Sequence, residues 1–258
     1  MSGDRNFDDL AHRFASNVYQ TLKGQIRLAV IERDLKKWLP ELYQAGQLTI
    51  LDAGCGRAPV SVPLLGAGHH LTLVDLSVEM LKLALADAER FSPLKPVWFH
   101  DSIVHFQQQS WSGQPFDLVL CHAVLEWVAE PTELLASLQQ MVKPGGWLSI
   151  IFYNVDGLIY KNLLRTNFRK IREGKLQGGK RSLTPTYPRC IDEVLGWLAE
   201  LNLSVVAHSG IRVFHDYIFN EADRTRAPEE LLAMELQFSQ RSPYRELGRY
   251  QHLLLRRI

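Results

Sequence analysis

Short apolar runs alternate with helical segments through about a hundred residues in the middle of this 258-residue chain. Each run is apolar along its length, which is typical of strands buried on both faces of a parallel sheet. Strands that alternate with helices indicate an α/β fold of the Rossmann-like kind, with helices on both faces. The predicted strands cover 48–54, 70–76, 96–100, 116–125 and 147–153, and the predicted helices cover 60–65, 77–90 and 131–141.

The flanking segments differ from this core. Residues 7–39 carry apolar positions at helical spacing, and Pro40 ends that region. Past residue 153 the chain becomes polar and strongly basic, before a helix at 191–201 and strands at 203–208 and 248–258 resume the pattern. We therefore predict a single domain over 1–258, made of a helical cap or lid (1–40), a cofactor-binding core (45–153), a basic insertion after strand five (154–189) and a C-terminal part that completes the sheet (190–258).

Composition narrows the class of protein. The formal net charge is +1, so a nucleic-acid partner would have to meet a local basic patch. No apolar run approaches the roughly 20 residues that span a bilayer, and the charged N-terminus lacks the apolar centre of a secretory signal. Three scattered cysteines predict neither a disulfide framework nor a metal site. We expect a cytoplasmic protein without a metal.

The stretch LDAGCG (51–56) follows the first predicted strand, where open α/β sheets bind their ligands. The dinucleotide pattern G-x-G-x-x-G requires a third glycine where this chain has Pro59. Proline also lacks one of the amide donors that a pyrophosphate uses. Gly54 and Gly56 still permit close approach of a ligand that needs room more than it needs anion-binding amides.

Asp75 ends the second predicted strand, 19 residues beyond Gly56. A carboxylate at this place accepts hydrogen bonds from both hydroxyls of a ribose in nucleotide-binding folds. Room for an adenosyl group, a ribose acceptor and few phosphate donors indicate S-adenosylmethionine. Asp52 could bind the loop amides or receive the ammonium of that cofactor. The alternative is a plain turn in which Asp75 only starts a helix.

The motifs LDAGCG, VDLS (74–77), FDLVLCHAVLEWV (116–128) and KPGGWLSI (143–150) resemble class I S-adenosylmethionine-dependent methyltransferases in order and spacing. This resemblance covers roughly residues 45–153. It implies a seven-stranded, mostly parallel sheet whose last strand is antiparallel.

Segments outside that core resemble one narrower family, the bacterial tRNA 5-carboxymethoxyuridine methyltransferases. The matching segments are DRNFDDLA (4–11), YQTLKGQIR (19–27), HAVLEWVAEP (122–131), IFYNVDGL (151–158), GIRVFHDY (210–217) and SPYRELGRY (242–250). The resemblance implies methyl transfer to the carboxylate of a modified wobble uridine in the anticodon stem-loop of tRNA, which gives a methyl ester.

The same resemblance implies a set of residues around the cofactor. Arg27 could form a bidentate pair with the carboxylate of the cofactor, and His122 could pack beside its adenine or ribose. Arg27 could instead be a surface arginine of a helix, and His122 a structural histidine. With the acids and the turn described above, the predicted cofactor residues are Arg27, Asp52, Gly54, Cys55, Gly56, Asp75, Leu76, Ser102 and His122.

The implied reaction requires alignment more than acid–base catalysis. A carboxylate is ionised at neutral pH and needs no general base, so we expect no catalytic dyad. Groups that orient the substrate are predicted at Tyr153, Asn154, Arg212 and His215. Tyr19 and Tyr250 are candidates that more readily fill the core or the lid.

The basic insertion predicts contact with RNA. Its cations could bind phosphates, and Phe168 and Tyr187 could stack on unpaired bases. The alternative is a solvated charged face. The predicted RNA-binding residues are Lys161, Arg165, Arg169, Lys170, Arg172, Lys175, Lys180 and Arg181, against one acid, Glu173.

Three other functions compete with this prediction. A small-molecule carboxyl or O-methyltransferase would share the cofactor site and use 154–189 as a lid, although the charge of that segment disfavours an apolar substrate. A non-catalytic RNA-binding protein could retain the fold, but the intact Gly54, Gly56 and Asp75 argue against it. A nicotinamide dehydrogenase is disfavoured by Pro59.

Overall fold

A computed structural model of the protein describes residues 21–176 and 184–258 and contains a seven-stranded sheet. The strands are β1 (Thr49–Ala53), β2 (His70–Asp75), β3 (Val97–His100), β4 (Phe116–His122), β5 (Val142–Tyr153), β6 (Leu203–Ile211) and β7 (Tyr250–Arg257). Their order across the sheet is β3-β2-β1-β4-β5-β7-β6. The first five strands pair in parallel, and β7 runs antiparallel to both β5 and β6. The predicted fold class is confirmed.

Helices pack on both faces of the sheet. They are α1 (Leu22–Trp38), α2 (Val78–Ala88), α3 (Pro131–Met141), α4 (Val155–Leu164), α5 (Phe168–Arg172), α6 (Ile191–Ala199) and α7 (Pro228–Phe238). One core cluster joins the sheet to α1, α2 and α7, and the other joins it to α3 and α6. Neighbouring strand residues enter opposite clusters, as Ile50 and Leu51 do, because successive side chains point to opposite faces. Short helical turns lie at Pro40–Tyr43, Val62–Ala67, Ile103–His105, Phe106–Ser110, Leu125–Trp127, His215–Tyr217, Ala222–Arg224 and Arg245–Leu247.

Helix starts follow local chemistry. Ser77 caps α2, because its hydroxyl accepts a hydrogen bond from the Met80 amide at 3.2 Å. Pro131 opens α3, where its missing amide hydrogen costs nothing. Asn154 caps α4 through the Asp156 amide at 3.1 Å.

The structure corrects several predicted elements. β4 ends at His122 rather than near residue 125, because Ala123 takes a positive φ of 61° and begins a turn. The predicted helix at 60–65 is a 3-10 turn at Val62–Ala67. The insertion contains α4 and α5, and α7 was not predicted at all. The part of the predicted cap before residue 21, including Tyr19, lies outside the described residues.

This topology determines where a ligand site can form. β1, β2 and β4 are parallel neighbours, so their carboxyl ends meet at one edge of the sheet. The glycine turn after β1, Asp75 at the end of β2 and His122 at the end of β4 therefore lie at the same edge.

Candidate active site

The glycine turn is bonded to the neighbouring strand. The amides of Gly54 and Cys55 both donate to the carbonyl of Val74, at 2.8 and 3.1 Å. Gly54 has a φ of +72°, and a Cβ there would stand 2.4 Å from Cγ2 of Val124. Only glycine fits this close approach. Because these two amides are already bonded within the protein, the turn offers few donors to a phosphate.

Asp75 organises the turn from the adjacent strand end. Its Oδ2 accepts a hydrogen bond from the Gly56 amide at 2.7 Å, and its Oδ1 accepts one from the Ser77 amide at 2.8 Å. A carboxylate oxygen can accept a second hydrogen bond, so both oxygens could still receive ribose hydroxyls. Asp75 thus supports the loop as well as offering acceptors. Its bond at the helix start agrees with the alternative role considered for it, whereas its bond to the Gly56 amide was not predicted.

A crevice opens beside this turn. It brings together four predicted cofactor residues from three parts of the chain: Arg27 of α1, Asp52 and Cys55 of the first strand and turn, and His122 of β4. The remaining wall is mainly apolar, formed by Leu28, Ile31, Pro59 and Val60. A mixed lining of this kind suits an adenosyl compound that carries charges at one end.

Asp52 lies at the base of the crevice and is 4% exposed. Its Oδ2 accepts a hydrogen bond from the Ser61 hydroxyl. Burial, followed by the charge of Asp75, raises the pKa of Asp52 to about 7, despite the hydrogen bond from Ser61. A cation in the crevice would favour the ionised form, so this acid fits a ligand with a positive charge.

His122 connects the crevice to a buried polar chain. His122 Nε2 lies 2.8 Å from Ser149 Oγ, Ser149 Oγ lies 2.9 Å from His252 Nε2, and His252 Nδ1 lies 2.8 Å from Asp34 Oδ2. Ser149, His252 and Asp34 are fully buried. Burial, with the charges of His252 and Arg27, holds the pKa of His122 well below its usual range. His122 is therefore a neutral ring whose orientation is set by the strands behind it.

An aromatic ring separates the crevice from a second charged region. The Arg27 guanidinium lies 4.1 Å from the centroid of the Tyr250 ring, and the Arg212 guanidinium lies 5.4 Å from it. Tyr153 packs edge-on against Tyr250, with 5.1 Å between the ring centroids. Burial raises the pKa of Tyr153 to about 12, so this phenol stays protonated. The predicted orienting residues Tyr153 and Arg212 thus lie next to the crevice.

Asp216 is the centre of that second region. It accepts a hydrogen bond from Arg249 Nε at 2.7 Å, and it lies 3.4 Å from Arg212 Nη2 and 3.1 Å from His215 Nδ1. Burial alone would raise the pKa of Asp216, but His215 and the two arginines hold it well below its usual range. Arg249 also donates to the Tyr153 hydroxyl at 2.7 Å. His215 is 3% exposed and belongs to this cluster.

Other residues predicted for the site form hydrogen bonds that stabilise the fold. Asn154 is fully buried, and its Nδ2 donates to the carbonyls of Glu246 and Gly248 at 2.7 and 2.8 Å. Both amide hydrogens are therefore committed to the fold, and we exclude Asn154 from the substrate-orienting groups. Ser102 starts a helical turn by accepting from the His105 amide, and the Leu76 carbonyl lies 3.0 Å from His100 Nε2.

The basic insertion has an exposed cationic side. Arg165, Arg169, Lys170, Arg172 and Lys175 are exposed, and Phe168 is 52% exposed. Glu173 pairs with Arg169 at 3.1 Å and with Lys175 at 2.8 Å. Lys161 is half-buried near Asp216 and its arginines. Lys180 and Arg181 lie outside the described residues.

Comparison with known proteins agrees with this geometry. A family model described as a methyltransferase domain matches residues 51–148. Over 257 residues the chain is 38% identical to the tRNA 5-carboxymethoxyuridine methyltransferase of Escherichia coli (strain K12), an alignment that covers 98% of this chain and 97% of that protein. The chain belongs to the tRNA 5-carboxymethoxyuridine methyltransferase family. The family resemblance predicted from the sequence is confirmed.

Solved structures show the same fold for this family member. Magnesium protoporphyrin IX methyltransferase from Synechocystis PCC 6803, crystallised with bound SAH, superposes with a TM-score of 0.62 at 18% identity and covers 98% of this chain and 96% of its own. The N-methyltransferase NodS from Bradyrhizobium japonicum WM9, also in complex with SAH, gives a TM-score of 0.58 at 15% identity over 98% of this chain and 99% of its own. These likenesses establish the class I methyltransferase fold.

Metal-binding clusters and membrane-spanning helices are both absent from the described part of the chain. Within residues 21–176 and 184–258, His, Cys, Asp and Glu side chains do not gather in threes where they could hold a metal ion. None of the helices in these ranges combines the length and apolarity that crossing a bilayer requires.

Several residues of the site were missed by sequence reasoning. Arg249 and Asp216 lie inside segments that were matched to the family but were not singled out, and Glu126 lies inside another. Ser149 and His252 are fully buried polar residues within β5 and β7. The signal available in the sequence was a polar residue at a position that the strand pattern predicts to be buried.

Proposed function

We propose that this protein transfers a methyl group from S-adenosylmethionine to the carboxylate of 5-carboxymethoxyuridine at the wobble position of tRNA and so forms the methyl ester. The observation that carries the proposal is the 38% identity over 98% of the chain to a protein of that activity. The crevice and its charged surroundings support it. The reaction is proposed for the cytoplasm, which the free cysteines Cys55, Cys121 and Cys190 favour.

The crevice fits the charges of the proposed cofactor. S-adenosylmethionine supplies an electrophilic methyl group on a sulfonium, and it also carries an ammonium and a carboxylate. Arg27 would pair with the carboxylate, while Asp52 would receive the ammonium directly or through water. Asp75 would accept both ribose hydroxyls beyond the glycine turn. Gly54, Cys55 and Gly56 allow the close approach, and Leu76, Ser102 and His122 complete the proposed cofactor site.

The region around Asp216 fits an anionic acceptor. Arg212, Arg249 and Lys161 gather around one acid, so positive charge is in excess. Burial, together with the charges of Arg249, Arg165 and Arg212, lowers the pKa of Lys161 to about 8 although Asp216 opposes the shift. Arg212 Nε is buried and has no hydrogen-bond partner among the described residues. This donor would suit an anionic oxygen.

The residues of the site would act by position rather than by proton transfer. The acceptor carboxylate is already ionised at neutral pH, so no side chain has to remove a proton. Tyr153 and Tyr250 would exclude water beside the acceptor, and the cations would hold it in line with the methyl group. A cation bonded directly to the attacking oxygen would slow the reaction, so we assign Arg212 and His215 to orienting the carboxylate group as a whole.

The basic insertion would bind the tRNA around the wobble nucleotide. The exposed cations lie on α5 and on either side of it, at Arg165 and Lys175. This segment follows β5 and α4, and β5 ends at the proposed acceptor region. Lysines and arginines of this kind neutralise phosphates, and Phe168 and Tyr187 offer rings for unpaired bases. Tyr187 already stacks on a cation, since the Arg189 guanidinium lies 5.3 Å from its ring centroid.

The test combines cells and purified protein. Nucleoside mass spectrometry of tRNA from cells that lack the protein should show loss of the ester and accumulation of the free acid. Purified protein should then transfer label from methyl-labelled S-adenosylmethionine to that tRNA. Mild alkali should release the label as methanol, because a methyl ester is base-labile whereas a methylated base or ribose is not. Unchanged ester in the deleted cells would refute the proposal.

A further inference from the structure

A buried acid lies directly after β4, in the turn Leu125–Trp127. Glu126 is 1% exposed, and its Oε2 has no hydrogen-bond partner among the residues that the structure describes. Buried polar atoms in native proteins almost always have a partner, so an exception requires an explanation. A ligand whose polar atom reaches Glu126 Oε2 would be the missing partner.

The turn that carries Glu126 is held in place by the chain that follows the basic insertion. The Tyr187 amide donates to the Glu126 carbonyl at 2.9 Å, and Arg189 Nε donates to the Leu125 carbonyl at 3.0 Å. These bonds come from residues more than 60 positions away in the chain. The buried position of the carboxyl is therefore built into the fold.

Groups from four parts of the structure face this carboxyl. They are the charge of Arg27 on α1, the charge of Arg189 after the insertion, the Tyr153 amide at the end of β5 and the Cys121 thiol of β4. Burial raises the pKa of Glu126 to about 7, although its own amide, Arg27, the Tyr153 amide and Arg189 all act to lower it. A large share of the molecules therefore carries a neutral carboxylic acid here at neutral pH.

The position of Glu126 favours the acceptor over the cofactor. The residues that line the crevice do not include Glu126. Its carboxyl faces the Tyr153 amide at the end of β5, and the Tyr153 hydroxyl accepts a hydrogen bond from Arg249 of the region around Asp216. The charge of Arg27, which lines the crevice, reaches the same carboxyl, so Glu126 lies between the two regions. A neutral acid is a hydrogen-bond donor, and it complements an anionic oxygen without adding a positive charge.

We propose that Glu126 is a positioning and specificity residue whose protonated carboxyl donates a hydrogen bond to the non-reacting oxygen of the acceptor carboxylate. The inference rests on the proposed function. The other carboxylate oxygen forms the new C–O bond while the C–S bond breaks and its electron pair returns to sulfur. The Glu126 proton stays on Glu126. Such a donor orients the acceptor but leaves the attacking oxygen unencumbered, and it favours carboxylates over neutral acceptors.

Titration calorimetry tests the proposed role of Glu126 in the absence of methyl transfer. The protein, saturated with S-adenosylhomocysteine, is titrated at pH 8 with an anticodon stem-loop that carries 5-carboxymethoxyuridine, in buffers of different ionisation enthalpy. Because Glu126 is mostly ionised at this pH, its carboxyl should take up close to one proton from solution on binding, in addition to a smaller uptake by Lys161. A stem-loop with unmodified uridine should take up none. Proton release would show that the acid meets a cation and would overturn the proposal.

A matched pair of variants assigns the proton. Glu126→Gln keeps the size and a donor but cannot titrate, so the uptake should fall by close to one proton, to the smaller share that Lys161 takes up. Glu130→Gln changes an exposed acid four residues further along and should behave as the wild type does. Equal uptake in Glu126→Gln and the wild type would assign the proton to another group and refute the inference. The wild-type titration stands by itself should Glu126→Gln prove unstable.

The pH profile supplies an independent measurement. In the wild type, kcat/KM should fall about tenfold per pH unit above about 7, since it reports the ionisation of the free enzyme. In Glu126→Gln the decline between pH 7 and 8 should be lost, and only the decline that follows deprotonation of Lys161 above about pH 8 should remain. An unchanged decline in the variant, in an enzyme that does form the base-labile ester, would refute the role of Glu126 alone. Absence of ester with the wild type would refute the proposed function instead.

Discussion

Gly54→Ala should damage the crevice by two separate effects, backbone strain and a steric clash. Gly145→Ala should cause the backbone strain alone. The two glycines have almost the same backbone conformation, with φ of +72° and +74°. Alanine in this left-handed region costs about 1–2 kcal/mol at either place. At Gly145 a Cβ would meet nothing within 4 Å, whereas at Gly54 it would stand 2.4 Å from Val124 Cγ2. Gly145→Ala is therefore a matched control for the strain alone.

The contact at Gly54 allows the size of the second effect to be worked out. Carbon atoms pack at about 3.5–4.0 Å, so the wall must open by roughly 1 Å. Overpacking of this kind costs about 1–3 kcal/mol, which gives a total of about 2–5 kcal/mol for Gly54→Ala. At about 2–4 °C per kcal/mol, the melting temperature should fall by at least about 4 °C. Calorimetry should also show at least a tenfold loss of S-adenosylhomocysteine affinity, because the turn is displaced.

The same contact supplies a rescue experiment. The double variant Gly54→Ala/Val124→Ala lacks the Cγ2 atom that causes the clash. Its melting temperature should therefore lie below that of Val124→Ala by less than Gly54→Ala lies below the wild type. Gly145→Ala should bind the nucleoside as the wild type does. Equal melting temperatures and affinities in Gly54→Ala and Gly145→Ala, or no recovery in the double variant, would refute the reasoning.

Three further predictions follow from the charged groups. Asp216→Asn should lower the free energy of unfolding at pH 7 by about 3–5 kcal/mol in urea titrations, since the buried Arg249 and the largely buried Arg212 lose their acid. Glu221→Gln removes an acid that is 91% exposed and serves as a control near zero. The folded-state pKa of Asp216 is depressed, so this contribution is present above the unfolded pKa of about 3.9, and the difference from the variant should shrink as the pH falls below it. Asp75→Asn and Arg27→Ala should each weaken S-adenosylhomocysteine binding at least tenfold in calorimetry, and wild-type affinity in both would remove them from the cofactor site. Replacement of Arg169, Lys170 and Arg172 of α5 by glutamate should weaken tRNA binding and make the tRNA affinity less dependent on salt concentration. An unchanged salt dependence would exclude this helix from the interface.

The core of the fold was predictable because its signals are local. Apolar runs, helical spacing and capping residues lie within a few positions of one another, as Ser77 and Met80 do. The errors came where local chemistry was ambiguous. The segment after Asn154 looks like a polar loop, yet it forms α4 and α5. The strand predicted to reach residue 125 stops at His122, because Ala123 turns the chain.

The site was predictable in part. The glycine turn and Asp75 lie 19 residues apart, and their chemistry indicates a nucleoside without phosphate. Arg27 was named only through the family resemblance, since nothing in a helical arginine predicts a position beside the glycine turn. The structure brings Arg27, Asp52, Cys55 and His122 to one crevice.

By itself the sequence determined an alternating α/β fold, the edge of the sheet at which a ligand binds and, through its motifs, the family. Tertiary structure alone decided which polar groups face one another. His252 reaches Asp34 across 218 residues, and Arg249 reaches Asp216 across 33. Such pairs leave no periodic trace, because each is set by the packing of whole strands and helices rather than by neighbours in the chain. The same packing buries Glu126 and raises its pKa, and no local pattern of residues encodes that burial.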